Sequence, residues 1–252
     1  MFDVRTYTYD NDTEKILFVS ACREETKEIP FVYCLDKMNL SSVSVSIDIA
    51  INYGNTDGLS TVYNRYLNDE QIKEYDYVIF LHDDIWLNDV LLFDKILSVS
   101  KYYDIIGVCG GKTWKANRDT STPISWTSAT KDAGGSGYML HCLKNEDTNE
   151  KYEHMNYFSS NYGISPAKTM TLDGCFLCLT KKAINCKQCR FDEQFKFHYY
   201  DIDFCTTAYI NHLTLGTTPI LITHESLGEG VYDKSYLEAQ KLYLDKWFKK
   251  YT

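Results

Sequence analysis

Tyr77-Val-Ile-Phe-Leu-His-Asp-Asp-Ile85 is the stretch that decides the reading of this chain. Tyr77 to Leu81 is an unbroken apolar run, as in a strand covered on both faces at the centre of a parallel sheet. His82, Asp83 and Asp84 follow at once. Two adjacent carboxylates at the mouth of a buried strand repel each other and lose solvation. A solvated turn would relieve this by exposing them. A divalent cation would relieve it by binding them, since Mg²⁺ and Mn²⁺ take carboxylate and diphosphate oxygens together.

Outward from that segment, Lys15 to Ser20 and Val43 to Ile51 are further strands. Gly58 to Leu67 has helical spacing, with Leu59, Val62, Tyr63 and Tyr66 on one side. Val90 to Tyr102 reads as a helix and Ile105 to Cys109 as a strand. The alternation predicts an α/β fold with a mostly parallel, Rossmann-like central sheet flanked by helices. Ligands of such sheets bind beyond the carboxyl ends of the strands, which is where His82-Asp83-Asp84 falls. Residues 111–170 are rich in Gly, Ser, Thr, Asn and Lys and read as a variable insertion, part of it over the site. Thr171 to Thr180 is a strand, Phe204 to Asn211 a helix, Pro219 to Thr223 a strand and Lys234 to Lys250 a terminal helix. Without a repeat or a linker, residues 1–252 are expected to form one domain. Its nucleotide-binding half would end near residue 110, with an acceptor-side half from there to residue 252.

Composition narrows the function. The net charge is −9 with no basic stripe, which disfavours nucleic acid. Met1 to Asp12 has no apolar core of a signal peptide, and no run reaches the ~20 apolar residues of a membrane span. Nine cysteines, an odd number, then read as reduced thiols in a cytoplasmic protein. Cys175-X-X-Cys178 and Cys186-X-X-Cys189 mimic a zinc site. The first pair falls in a predicted strand, where positions three apart point to opposite faces, so zinc is set aside. Trp247-Phe248-Lys249-Lys250-Tyr251, with Lys246, offers peripheral membrane contact, but a docked helix with a basic end explains it equally. Neither a Gly-X-Ser-X-Gly elbow nor a Gly-X-Gly-X-X-Gly turn occurs, so hydrolase and dinucleotide chemistry lack support.

Several blocks together resemble a known group. Tyr77 to Ile85 resembles the third strand and Asp-X-Asp motif of GT-A-fold glycosyltransferases. Gly58-Leu-Ser-Thr-Val-Tyr-Asn64 and Phe80-Leu-His-Asp-Asp84 are similar to the glycosyltransferase family 2-like group. So are Leu172-Asp-Gly-Cys-Phe-Leu177, Phe191-Asp-Glu through His198-Tyr-Tyr-Asp-Ile-Asp-Phe204, and Ile222-Thr-His-Glu-Ser-Leu-Gly228. The resemblance spans most of the chain except 111–170. His82 stands where the motif has its first Asp.

The resemblance implies transfer of a sugar from a nucleoside diphosphate donor, UDP-linked, to a hydroxyl of a glycan, lipid-linked or protein acceptor. It implies Mn²⁺ or Mg²⁺ held by Asp84 and by the late His224. Imidazole suits Mn²⁺ better. Asp201 becomes the base of an inverting reaction. A carboxylate in an aromatic pocket has its pKa raised and is a better base. Asp203 is read as a helix cap or a support. Ser20 and Ala21, ending the first strand, line the nucleotide pocket, and Asn52 contacts base or ribose. Asn64 is unfavourable inside a helix, which hints at a polar task near the nucleotide. His82 and Asp83 complete that side. Asp173, Gly174, His198, Tyr200 and Trp114 (or Trp126) contact substrate.

Two other classes compete. A sugar nucleotidyltransferase would share sheet and metal but needs a Gly-rich phosphate loop, which Ala21-Cys-Arg-Glu-Glu25 is not. A non-catalytic glycan-binding protein on the same fold is the other, because fold does not fix function.

Overall fold

The computed structural model describes residues 2–7, 13–38, 45–113, 134–143, 156–226 and 233–248. Within them lies a mixed α/β fold with two sheets. The larger runs β1 (Phe2–Tyr7), β3 (Val45–Asn52), β2 (Glu14–Ala21), β4 (Tyr77–Leu81), β11 (Phe176–Thr180), β6 (Ile105–Gly107), β12 (Leu215–Thr217) and β10 (Ala167–Thr169), in that spatial order. The pairs β3–β2, β2–β4 and β6–β12 are parallel. The strand β11 is antiparallel to both β4 and β6, and β1 and β10 are antiparallel edges.

Strand residues alternate between two cores. Ile16 and Phe18 of β2, Ile47 and Ile49 of β3, and Ile79 and Leu81 of β4 share one core with helices α1 (Pro30–Lys37) and α3 (Leu92–Val99), through Phe31, Leu35, Phe93 and Ile96. Leu17, Val19, Val78 and Phe80 face the other way. They pack with Val62 and Tyr63 of α2 (Leu59–Leu67), Phe204 and Ala208 of α5 (Tyr200–Ile210), and Tyr243 of α6 (Lys234–Trp247). Each such side chain contributes roughly 1.5–3 kcal/mol on burial. Because both faces are covered, β4 is apolar at every position, as its unbroken run implied. The short helix α4 (Lys181–Asn185) follows β11.

The smaller sheet orders β5 (Ile85–Leu87), β13 (Ile222–His224), β8 (Gly135–Leu143) and β7 (Cys109–Gly111), with β9 (Asn156–Gly163) on β8. Its geometry builds the site. The chain leaves β4, passes His82 to Asp84 and enters β5, which pairs antiparallel with β13 so that His224 faces Ile85. The Glu225 N–H donates to the Asp84 carbonyl at 3.0 Å. On its other side β13 runs parallel to β8, with His224 beside His141.

Several expectations are corrected. The central sheet is mixed rather than mostly parallel, because β11 enters between β4 and β6. An apolar run cannot reveal direction, since parallel and antiparallel central strands bury the same residues. Residues 111–170 are not loop alone: β8, β9 and β10 lie there. The Gly134-Gly135-Ser136-Gly137 segment, which looked like a loop, opens β8. There Gly137 adopts φ 106°, and a Cβ on it would lie 2.1 Å from the Val108 carbonyl oxygen. The late helix starts at Tyr200, not Phe204, so Asp201 and Asp203 lie within its first turn. The helix α1 was not anticipated, although Pro30 at its first position is a recognised start signal.

Candidate metal centre and active site

Three side chains converge at the end of β4. His82, Asp84 and His224 each offer a ligand atom, and these atoms lie within 4.8 Å of one another. Asp84 Oδ1 is 3.3 Å from His224 Nε2. That oxygen is buried and lacks a partner in hydrogen-bond geometry. Burial raises the Asp84 pKa, but His224 foremost outweighs it and holds the carboxyl below its usual range. Burial likewise opposes charge on His224, and the Asp84 carboxylate outweighs it, leaving that imidazole above its usual value. Each group thus favours the charged form of the other, in a site that also contains Asp173.

The hydrogen bonds around His82 assign its tautomer. Tyr200 has one hydroxyl hydrogen, which it donates to the Gly174 carbonyl at 2.8 Å. His82 Nε2, 2.8 Å from the same hydroxyl oxygen, must then carry the hydrogen of that contact. The lone pair is left on Nδ1. Burial, the largest influence, holds the His82 pKa below its usual value, so the ring is neutral. A neutral ring whose far nitrogen is anchored is the state a metal ligand requires. With an orphaned buried carboxylate oxygen, a neutral anchored imidazole and a second imidazole, the residues fit a divalent cation. The donor set of two nitrogens and one oxygen suits Mn²⁺ and other borderline ions better than Mg²⁺.

Asp201 reaches the same place from the other side. The His82 N–H donates to the Cys175 carbonyl at 3.1 Å, tying the end of β4 to the Asp173–Cys175 turn. Asp173 Oδ1 accepts the Cys175 N–H at 2.8 Å. Asp201 Oδ2 accepts the Gly174 N–H at 3.0 Å, and Oδ1 accepts the Ile202 N–H at 2.8 Å. Gly174 is required here, because a Cβ on it would lie 2.2 Å from the Tyr200 hydroxyl oxygen and 2.9 Å from Asp201 Cβ. Burial first, then the nearby Asp173 charge, pushes the Asp201 pKa up to about 7. Asp203 has a separate task. It is fully buried and accepts hydrogen bonds from Lys246 Nζ and Trp247 Nε1 at 2.8 and 2.7 Å, fastening α5 to α6.

Asp83 points elsewhere: its Oδ2 pairs with Lys27 Nζ at 3.0 Å. Lys27, unnoticed in the sequence, thereby brings a cation next to the acids. Ser20 is fully buried, and its carbonyl accepts from Asn52 Nδ2 at 2.9 Å, beside the half-buried Ala21. The loop after β2 is held to the turn after β3, since the Cys22 N–H donates to the Asn52 carbonyl at 3.0 Å.

Two predicted contacts are not brought to the cluster. His198 Nε2 lies 3.8 Å from Asp233, and its ring packs on Tyr236, against the start of α6. Asn64 gives both amide hydrogens to the Phe191 carbonyl and Glu193, at 2.8 and 3.1 Å, and accepts the Phe191 N–H at 3.0 Å. Its polar task is to pin α2 to the 191–193 segment. Asn64→Ala leaves the Phe191 N–H and carbonyl unpaired in the interior, so stability should fall by about 2–4 kcal/mol. Calorimetric unfolding would read the loss, and an unchanged melting temperature would refute the pin. Trp114 and Trp126 lie outside the described residues.

Besides Lys27, sequence reasoning missed two residues of the site. Phe197, half exposed, stacks on His82 with ring centroids 6.1 Å apart. His141 lies in the segment read as a loop, although Tyr138-Met-Leu-His-Cys-Leu143 carries the apolar signal of a strand.

No protein-family model matches the chain, and no curated protein is similar to it at a significant level. Among solved structures, one titled "Crystal Structure of A197 from STIV" is similar with a TM-score of 0.44 and 12% identity, over 85% of this chain and 83% of that one. A likeness that distant carries no argument, so function has to be argued from the residues. No described helix is long and apolar enough to cross a membrane. The fold and site define a mixed α/β protein with a candidate metal centre of two histidines and one aspartate.

Proposed function

We propose that this chain is a metal-dependent glycosyltransferase of the GT-A type, using a nucleoside diphosphate sugar, UDP-linked, as donor and a hydroxyl group as acceptor. The observation that carries the reading is the convergence of His82, Asp84 and His224 at the carboxyl end of a central strand, with Asp201 joined to His82 through Gly174 and Tyr200. The parallel β3–β2–β4 unit supports it, because ligands of such units bind at that end.

Asp84, His224 and His82 would hold a divalent ion, which would supply Lewis acidity toward the leaving diphosphate. The protein's own residues do the rest. Asp201, with its raised pKa, takes the hydroxyl proton as the acceptor oxygen bonds to the anomeric carbon. The bond from that carbon to the phosphate oxygen breaks, and its electron pair leaves with the diphosphate. Inversion follows from attack opposite the leaving group. Two backbone N–H donors hold the Asp201 carboxylate in place, and Phe197 offers an exposed ring against which a sugar face can stack. Nine free thiols fit a reducing, cytoplasmic setting.

The test is turnover of a panel of nucleotide sugars with Mn²⁺ against added EDTA. Release of the free nucleoside diphosphate, reversed off by EDTA and restored by Mn²⁺, is expected. Release of pyrophosphate instead would assign a nucleotidyltransferase, and binding without turnover a glycan-binding protein.

A further inference from the structure

His141 sits in β8 directly beside His224 of β13, in parallel register. Its ring is 2% exposed and stacks on Phe158 at 4.8 Å with planes 13° apart. Among the described residues, neither ring nitrogen has a hydrogen-bond partner. A neutral imidazole carries one N–H donor and one lone pair. Burying both unmatched is unfavourable, and buried polar groups in proteins are almost always paired. The stacking and the strand pairing nevertheless hold this ring in place, and no described residue of the chain pairs it, which leaves it open to a ligand.

Its position says what kind of partner. Its centroid is 6.0 Å from that of His224, which is 5.8 Å from that of His82. The contacts form one connected series: His141, His224 with Asp84, His82, Tyr200, Gly174, Asp201. The base stands at one end, the ligand cluster in the middle and His141 at the other end. His141 is not among the three residues whose ligand atoms already converge. It lies against His224 outside that convergence, where an N–H would meet atoms bound to an ion rather than the ion itself. The surroundings are acidic, with Asp84 and Asp173 close by, and Lys27 is engaged by Asp83. An anion entering this site needs an unengaged donor, and His141 offers one.

We propose that His141 is a phosphate-binding residue, donating its N–H to a phosphate oxygen of the donor diphosphate held at the Asp84–His224 centre. The assignment rests on the glycosyltransferase reading above and adds a residue and a ligand group to it. It also accounts for a histidine in a strand otherwise filled by small and apolar side chains.

Calorimetry on the full chain tests it with Mn²⁺ alone, then with UDP and with inorganic pyrophosphate in saturating Mn²⁺. His141→Phe keeps a flat ring against Phe158 and removes the donor. It should weaken UDP and pyrophosphate alike by at least tenfold and leave Mn²⁺ affinity within about twofold. Its melting temperature should not fall, because two unmatched nitrogens are gone. His141→Gln, which retains an N–H donor, should recover part of the affinity and guards against a misfolded Phe variant. Unchanged UDP affinity in His141→Phe, with binding abolished in Asp84→Ala, would reject the role of His141 and leave the metal reading intact. A loss with UDP but not pyrophosphate would place His141 at the nucleoside and overturn the proposal. Failure of the unaltered protein to bind UDP with Mn²⁺ would remove both.

Discussion

Asp84→Ala should abolish Mn²⁺ binding and reduce sugar transfer by about 10³-fold or more, as expected when several kcal/mol of charge stabilisation at the leaving group is lost. Asp84 is the only carboxylate of the three converging ligands, and its Oδ1 is buried without a hydrogen bond. Removing it leaves two imidazoles and no anionic ligand. The protein should still fold, but at a lower melting temperature, because the carboxylate also offsets the burial of His224. A cooperative melting transition, shifted downward, is therefore part of the expected result. Asp84→Asn, nearly the same in volume, should bind Mn²⁺ weakly and transfer poorly. Full activity with undiminished Mn²⁺ affinity in Asp84→Ala would end the metal assignment. The two histidines alone should retain measurable Zn²⁺ or Ni²⁺ affinity, since imidazole binds those ions without a carboxylate.

Asp201→Asn carries the second large effect. Loss of a positioned general base typically costs about 10²–10⁴-fold, and the expected fall in kcat lies in that range. Asn cannot accept the acceptor's proton, while donor binding, made elsewhere, should be nearly unchanged. The pH profile gives an independent check. The Asp201 pKa is pushed up to about 7, by burial and then by Asp173. Transfer should thus decline below about pH 7 as the base becomes protonated, and the Asn variant should lack that limb. Stability moves the opposite way. The folded-state pKa lies above the unfolded value of about 3.9, so folding takes up protons between them. The contribution is fully present below about pH 4 and is lost as pH rises toward 7. Chemical denaturation from pH 4 to 8 would show whether the unaltered protein loses stability over that window relative to Asp201→Asn. Parallel profiles would argue that this carboxyl titrates normally.

The two effects are separable because the groups lie at different places along one connected line. Asp84 acts with His224 across the β5–β13 pair, and Asp201 acts from the first turn of α5. Tyr200 links them: its hydroxyl receives the His82 N–H and donates to Gly174, whose own N–H goes to Asp201. A change in Tyr200 should therefore disturb both ends.

Part of this was legible in the chain itself. The apolar run Tyr77 to Leu81 announced a doubly covered strand, and the strand ends exactly where it was read to end, before His82. The motif order placed Asp84 and His224 together, and they are 3.3 Å apart. Asp201 in an aromatic setting suggested a raised pKa, and the structure gives that direction. Other elements were hidden. A run of five apolar residues has the same appearance in either strand direction, so β11 between β4 and β6 could not be foreseen. The glycines at 134, 135 and 137 looked like loop chemistry, when 135 and 137 lie in β8 and close backbone approach to Val108 and Cys109 demands Gly137. Asn64 had a polar task, but its partner Phe191 is 127 positions away.

What the sequence determined alone were the groups with their own local logic: which strands are buried, which helix faces are apolar, and which acids directly follow a buried strand. These depend on neighbours within a few residues. Tertiary structure alone decided which distant side chains meet. His141 and His224 are adjacent only because β8 and β13 pair, and His82 has a defined tautomer only because α5 brings Tyr200 onto it. Backbone pairing and packing set those meetings, and neither leaves a mark in the spacing of the residues they join.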